Sequence, residues 1–108
     1  MFIGKVVGTV VSTIKDEKVA NLKLQIVQEL DENAAPRDKY VVAADTIGAG
    51  QGDLVLFSQG SSARQTTLTD GRPIDAAIFA VIDSWDVHGD LVYQKEGLET
   101  TSYDPAES

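Results

Sequence analysis

The stretch that most constrains this chain is Asp45 to Arg64, DTIGAGQGDLVLFSQGSSAR, which holds four of the nine glycines (48, 50, 52 and 60). Glycine at that density marks backbone that must bend, take positive φ, or lie against other backbone without a side chain between. Between the two glycine turns, Leu54-Val55-Leu56-Phe57 is a short apolar run suited to a buried strand. A phosphate cradle, a nucleophile elbow and a subunit contact would each place glycines in such turns.

The first two readings fail on single residues. A dinucleotide fingerprint needs glycines at its first, third and sixth places at a strand-to-helix junction. Here they fall at the first, third and fifth, Asp53 takes the sixth place, and a strand follows. A nucleophile elbow, G-x-S-x-G, would need glycine where Arg64 stands. An enzyme acting through Ser61 or Ser62 would have to draw its base from His88, the single histidine, which sits in a turn segment beside Gly89. One histidine, scattered carboxylates and no cysteine supply no closely spaced metal-ligand set. No catalytic residue, no cofactor and no metal is expected.

A length of 108 residues fits one domain with a modest core. Its 43% hydrophobic residues against 6% aromatic make that core aliphatic. The net charge of −8 opposes a phosphate-tracking surface, so no nucleic-acid partner is expected. No apolar run reaches the ~18 residues of a membrane helix, and the N-terminus lacks a signal-peptide pattern. No membrane partner is expected.

Along the chain, residues 2–14 form a β-branched strand that is apolar on both parities, with Phe2, Val6, Val10 and Ile14 opposed to Ile3, Val7 and Val11. One face suits the core and the other suits a second surface, such as another subunit. Gly4 and Gly8 share one parity and permit a bulge or a close approach. Lys15-Asp16-Glu17-Lys18 is a charged turn. Residues 19–30 alternate as a half-exposed antiparallel strand, with Leu22, Leu24, Ile26 and Leu30 set against Asn21, Lys23, Gln25 and Glu29.

Residues 31–39 form a polar loop, Tyr40 to Ala44 a third strand and Leu54 to Ser58 a fourth. Ser61 and Ser62 cap a short helical turn reaching Arg64 or Gln65. A helical turn at 74–77 leads into a last buried strand, Ile78 to Ile82. Ser84 to Tyr93 closes as a hairpin centred on Gly89-Asp90. Residues 94–108 are a polar, acidic, flexible tail beyond a 1–93 domain. The class is all-β: an OB-like five-stranded small β-barrel with one short helix and a C-terminal β-hairpin.

Four segments in order then carry a family resemblance: IGKVVGTVVST-x-KDE (Ile3 to Glu17), D-x-x-GAG-x-GD-x-VL (Asp45 to Leu56), GSSAR (Gly60 to Arg64) and P-x-DAAI with its closing ID (Pro73 to Asp83). Together they resemble the EutN/CcmL family of bacterial microcompartment and carboxysome shell proteins. The resemblance implies an OB-like barrel that assembles as a cyclic homopentamer at the vertices of a polyhedral shell in the bacterial cytoplasm. It further implies hexameric facet shell proteins as partners and no catalysis. Residues expected at a subunit interface or at the five-fold axis are Gly4, Lys5, Val7, Gly48, Ala49, Gly50, Gly52, Ser61, Ser62, Arg64 and Asp75. Two readings from other classes stand beside this one. They are a free-standing OB-fold module for an oligonucleotide or oligosaccharide, and the serine–histidine enzyme weighed above.

Overall fold

A computed structural model of the chain describes residues 1–11, 23–60 and 75–95. The elements among them are strands: β1 (Phe2–Val10), β2 (Lys23–Leu30), β3 (Pro36–Asp45), β4 (Leu54–Gln59), β5 (Ala76–Val81), β6 (Ser84–Val87) and β7 (Asp90–Gln94). The first five close into a barrel in the order β1-β2-β3-β5-β4, with β4 pairing back onto β1. All pairings are antiparallel except β3 with β5, which meet only at Ala44–Ala77 and Asp45–Ile78. This is the expected OB-like plan. The helix expected at Ser61 to Gln65 lies outside the described residues.

Three boundaries differ from expectation. Pro36 to Lys39 continue β3 instead of forming a loop, because the turn that reverses the chain is confined to residues 31–35. In that turn Asp31 Oδ1 accepts from the amides of Asn33 (2.8 Å) and Ala35 (2.9 Å), and Ala34 takes a φ of 65°. Ala76 and Ala77 are strand, not helical turn, since each pairs with β4 at Gln59 and Ser58. The last hairpin turns on His88-Gly89, one residue earlier than expected. Both residues take positive φ (54° and 84°), the geometry of a two-residue turn that matches strand twist.

A bulge in β1 sets the arrangement of its faces. Val6 lies opposite Val27, yet Gly8 lies opposite Ile26, so Val7 is the extra residue. Parity therefore reverses at Val7, and Gly4 and Gly8 point to opposite sides rather than sharing one. A Cβ on Gly4 would point into the barrel, against the Val27 side chain and 2.7 Å from Phe57 Cε1. One on Gly8 would lie outside, 3.3 Å from Ile26 Cδ1.

The barrel interior is filled by Val6, Val27, Ala43, Ala49, Val55, Phe57, Ala76 and Ile78, small aliphatics around one ring. Phe2 packs against Phe57, with ring centroids 5.4 Å apart and planes tilted by 33°. A second cluster forms outside the barrel, where Leu30, Leu54 and Ile82 pack with Ile3, Leu56, Trp85 and Tyr93. Trp85 stacks on Tyr93 at 5.4 Å and donates Nε1–H to the Glu32 carbonyl at 2.9 Å. The β6–β7 hairpin is thus fastened to the β2–β3 turn. Ile3, on the outward parity of β1, is covered by this hairpin of its own chain. Val7 and Val11 stay exposed.

Strand β2 is inverted relative to ordinary patterning. Alternation normally turns the apolar set to the core. Here Gln25 and Val27 are buried inside, and Leu24 and Ile26 lie on the outer face, partly buried.

Candidate functional site

The glycine loop closes one end of the barrel, and a polar network dictates its path. Asp45 ends β3 with its side chain buried. Its Oδ1 accepts from the amides of Ile47 (3.0 Å) and Gly48 (2.9 Å), turning the chain at once. Its Oδ2 accepts from Gln25 Nε2 at 2.9 Å, and the same nitrogen donates to the Ala49 carbonyl at 2.6 Å. Thr9 Oγ1 donates to Gln25 Oε1 (3.4 Å) and accepts from Gln51 Nε2 (3.2 Å). A buried amide and a buried carboxylate are costly unless each lone pair and proton is used, and here each holds the other.

The second half of the loop folds back along β1. Gly50 N–H donates to Asp53 Oδ2 at 2.9 Å, and Asp53 N–H to the Gly50 carbonyl at 3.1 Å. Gly52 N–H then reaches the Val6 carbonyl (2.8 Å), and Val6 N–H the Asp53 carbonyl (2.9 Å). A shallow polar cleft separates the loop from β7, with Gln51 and Asp53 on one wall and Gln94 and Lys95 on the other.

Placed on this frame, the expected contact residues divide. Gly48 (φ 79°) and Gly52 (φ 86°) need glycine for backbone conformation alone, since a Cβ at either meets nothing within 4 Å. Gly50 has no such requirement, and its Cβ would sit 3.6 Å from Asp53 Oδ2, an ordinary contact. Gly4 is a core position, where the approach of Val27 and Phe57 accounts for the missing side chain. Ala49 is 1% exposed and plugs the barrel, packed in the core cluster. Lys5, Val7 and Asp75 are exposed, and Asp75 accepts through its carbonyl from Gly60 N–H at 2.8 Å. Ser61, Ser62 and Arg64 lie outside the described residues.

Sequence reasoning missed Gln25 as the keystone of the loop. It also missed the outer surface that the inversion of β2 creates. Residues directly opposite one another across a sheet share a face. Gly8–Ile26–Val42 forms one outward row across β1, β2 and β3; Val10–Leu24–Ala44 shares its parity, but Ala44 is fully buried. Lys5–Gln28–Tyr40 flanks them. Val42 is 52% exposed and Tyr40 56%. The sole signal in the sequence was the alternation of residues 19–30, which fixes two faces without saying which one is inside.

Comparison with known proteins gives this geometry its context. The bacterial microcompartment shell vertex protein GrpN of Rhodospirillum rubrum is 48% identical over 84 residues, covering 78% of this chain and 94% of that one. Its structure, described as a pentameric microcompartment shell protein, superposes with a TM-score of 0.74 at 44% identity, over 81% of this chain and 99% of that one. The carboxysome shell vertex protein CcmL of Nostoc sp. PCC 7120 is 47% identical over 97 residues, 89% of this chain and 96% of that one. Its structure gives a TM-score of 0.83 at 48% identity, over 88% of this chain and all of that one. EutN of Escherichia coli, also a shell vertex protein, is 34% identical over 88% of this chain and the whole of that one. The family model described as "Ethanolamine utilisation protein EutN/carboxysome" matches residues 1–83, and the chain belongs to the EutN/CcmL family.

Proposed function

We propose that this chain is a structural shell protein, a cyclic pentamer that caps the vertices of a bacterial microcompartment in the bacterial cytoplasm. The observation that carries the reading is the family match over residues 1–83, joined to relatives that are shell vertex proteins, one of them pentameric by description. A flat sheet of hexameric tiles closes into a polyhedron only where five-fold units replace six-fold ones. The partners of this ring are therefore hexameric facet proteins, and its work is geometric rather than catalytic. Of the residues expected to meet a neighbour, Lys5, Val7, Gly50 and Asp75 are exposed or open to approach. Ser61, Ser62 and Arg64 belong to the same proposal through the resemblance.

A free-standing OB module is disfavoured by how its aromatics are used. Phe2 and Phe57 stack on each other in the barrel, and Trp85 and Tyr93 stack on each other beneath the hairpin. Nucleic-acid platforms instead present such rings to bases beside clustered cations. Electron microscopy of a hexameric shell tile, assembled with and without this chain, tests the function. Closed polyhedral shells should appear only when the chain is present. Identical particles with and without it would refute the vertex role.

A further inference from the structure

We infer that the cleft between the glycine loop and β7 is an acceptor groove for one extended peptide segment of another protein, which adds to the free edge of β7. The inference stands apart from the pentamer reading and holds for a single chain or a ring.

The first argument is the unpaired edge. Among the described residues β7 pairs with β6 alone, in a two-stranded sheet outside the barrel. Gln94 lies opposite Ser84, and the next residue, Lys95, donates its amide to the Asp83 carbonyl at 2.8 Å. Main-chain groups alternate sides along an antiparallel strand. With Lys95 turned toward β6, the N–H and C=O of Gln94 therefore turn away from it. Tyr93, Gln94 and Lys95 all line the cleft. Side chains alone would reach one wall at every second residue, so three in succession mean that the strand presents its backbone edge there. Gln51, Gly52 and Asp53 line the opposite wall in the same consecutive way.

The lining selects the occupant. The cleft is shallow and its volume of about 330 Å³ stands at the low end of those that enclose small ligands. It offers no free ring on which a base or sugar could stack, because Tyr93 is packed against Trp85. What it does offer suits a peptide backbone. Gln51 spends its side-chain nitrogen on Thr9 and leaves Oε1 open, and Asp53 spends Oδ2 on the Gly50 amide and leaves Oδ1 open. Lys95 faces Asp53 from the other wall, and no ion pair joins them across the cleft. An extended segment with a basic side chain toward Asp53 and an acidic one toward Lys95 complements both charges. In strand addition, main-chain hydrogen bonds supply the affinity and such side-chain contacts supply the selectivity.

The probe is the synthetic peptide acetyl-Thr-Val-Lys-Val-Glu-Val-Thr-amide, with an analogue N-methylated throughout that cannot pair as a strand. Hydrogen exchange of the full-length chain is read by nuclear magnetic resonance. The Gln94 amide should exchange as an open amide without peptide and slow by roughly tenfold or more in millimolar excess of it. The methylated analogue should leave it unchanged. Gln94→Pro removes the outward donor without breaking a bond to β6. It should weaken peptide binding by roughly tenfold, with the urea midpoint kept. Lys95→Glu leaves the edge intact but sets like charges face to face, and should weaken binding by roughly threefold. A Gln94 amide already protected without peptide, no slowing in millimolar excess, or equal slowing by the methylated analogue overturns the groove. Binding unaltered in Gln94→Pro or in Lys95→Glu overturns it as well.

Discussion

Replacing Gln25 with leucine tests whether one buried amide holds the glycine loop. Leucine has nearly the same volume and opens no large cavity, so the effect isolates hydrogen bonding. The substitution removes the donor to Asp45 Oδ2 (2.9 Å) and to the Ala49 carbonyl (2.6 Å), and the acceptor of Thr9 Oγ1. Asp45 and Ala49 are buried, so both oxygens lose their partner out of reach of bulk water. Stranding a buried polar group costs about 1–3 kcal/mol, and Thr9 turns to solvent at little cost. Two stranded oxygens therefore cost about 3 kcal/mol, a large share of the ~5–15 kcal/mol by which domains are stable. With a urea slope of about 1–3 kcal/mol per molar, the midpoint should fall by roughly 1–3 M. Protein concentration must be held fixed, because assembly adds to apparent stability. Hydrogen exchange supplies the local readout: the amides of Ile47 and Gly48, bonded to Asp45 Oδ1, should lose protection first. A midpoint within about 0.3 M of the parent, with both amides still protected, would refute the keystone role of Gln25.

Further substitutions follow from the same geometry. Gly4→Ala should destabilise the fold by about 2–3 kcal/mol in thermal or urea unfolding, because its Cβ meets Phe57 at 2.7 Å and the backbone oxygen of Gln28 at 3.0 Å. Gly48→Ala and Gly52→Ala should each cost about 1–2 kcal/mol through positive φ, whereas Gly50→Ala should lie within about 0.5 kcal/mol of the parent. Gly50→Trp then separates folding from assembly: the barrel should form, and normal ring closure would place this turn away from any subunit contact. Trp85→Ala should cost about 3 kcal/mol and expose the amides of β6 and β7 to exchange ahead of the barrel strands, since it removes the Tyr93 stack and the bond to Glu32. Coincident loss of protection in hairpin and barrel would contradict separate anchoring of the hairpin.

Much of this fold was legible because local signals agreed. Leu54 to Phe57 between glycine turns is a strand for the reason its composition suggests, and Gly48 and Gly52 stand where the backbone takes positive φ. The tally of five principal strands and the family resemblance pointed to the same closed barrel. The misread strand faces share one physical cause, which is that period-two patterns do not name the inside. One bulge at Val7 reversed the second half of β1, and β2 turned Gln25 inward because Asp45 and Ala49 needed its protons. The inward turn of Gln25 leaves no local mark, since its partners lie 20 and 24 residues away. The family resemblance makes the glycine loop a candidate for a subunit contact or the five-fold axis. Gly4, Gly48 and Gly52 turn out to have sufficient reasons within the monomer, which leaves Gly50 as the loop glycine whose freedom a neighbour could use.

The subunit count in solution tests the central claim most directly. Native mass spectrometry or sedimentation of the parent chain should report five times the 11.6 kDa chain mass, about 58 kDa. A stable species of 11.6 kDa across micromolar concentrations, or a closed dimer, would contradict the account.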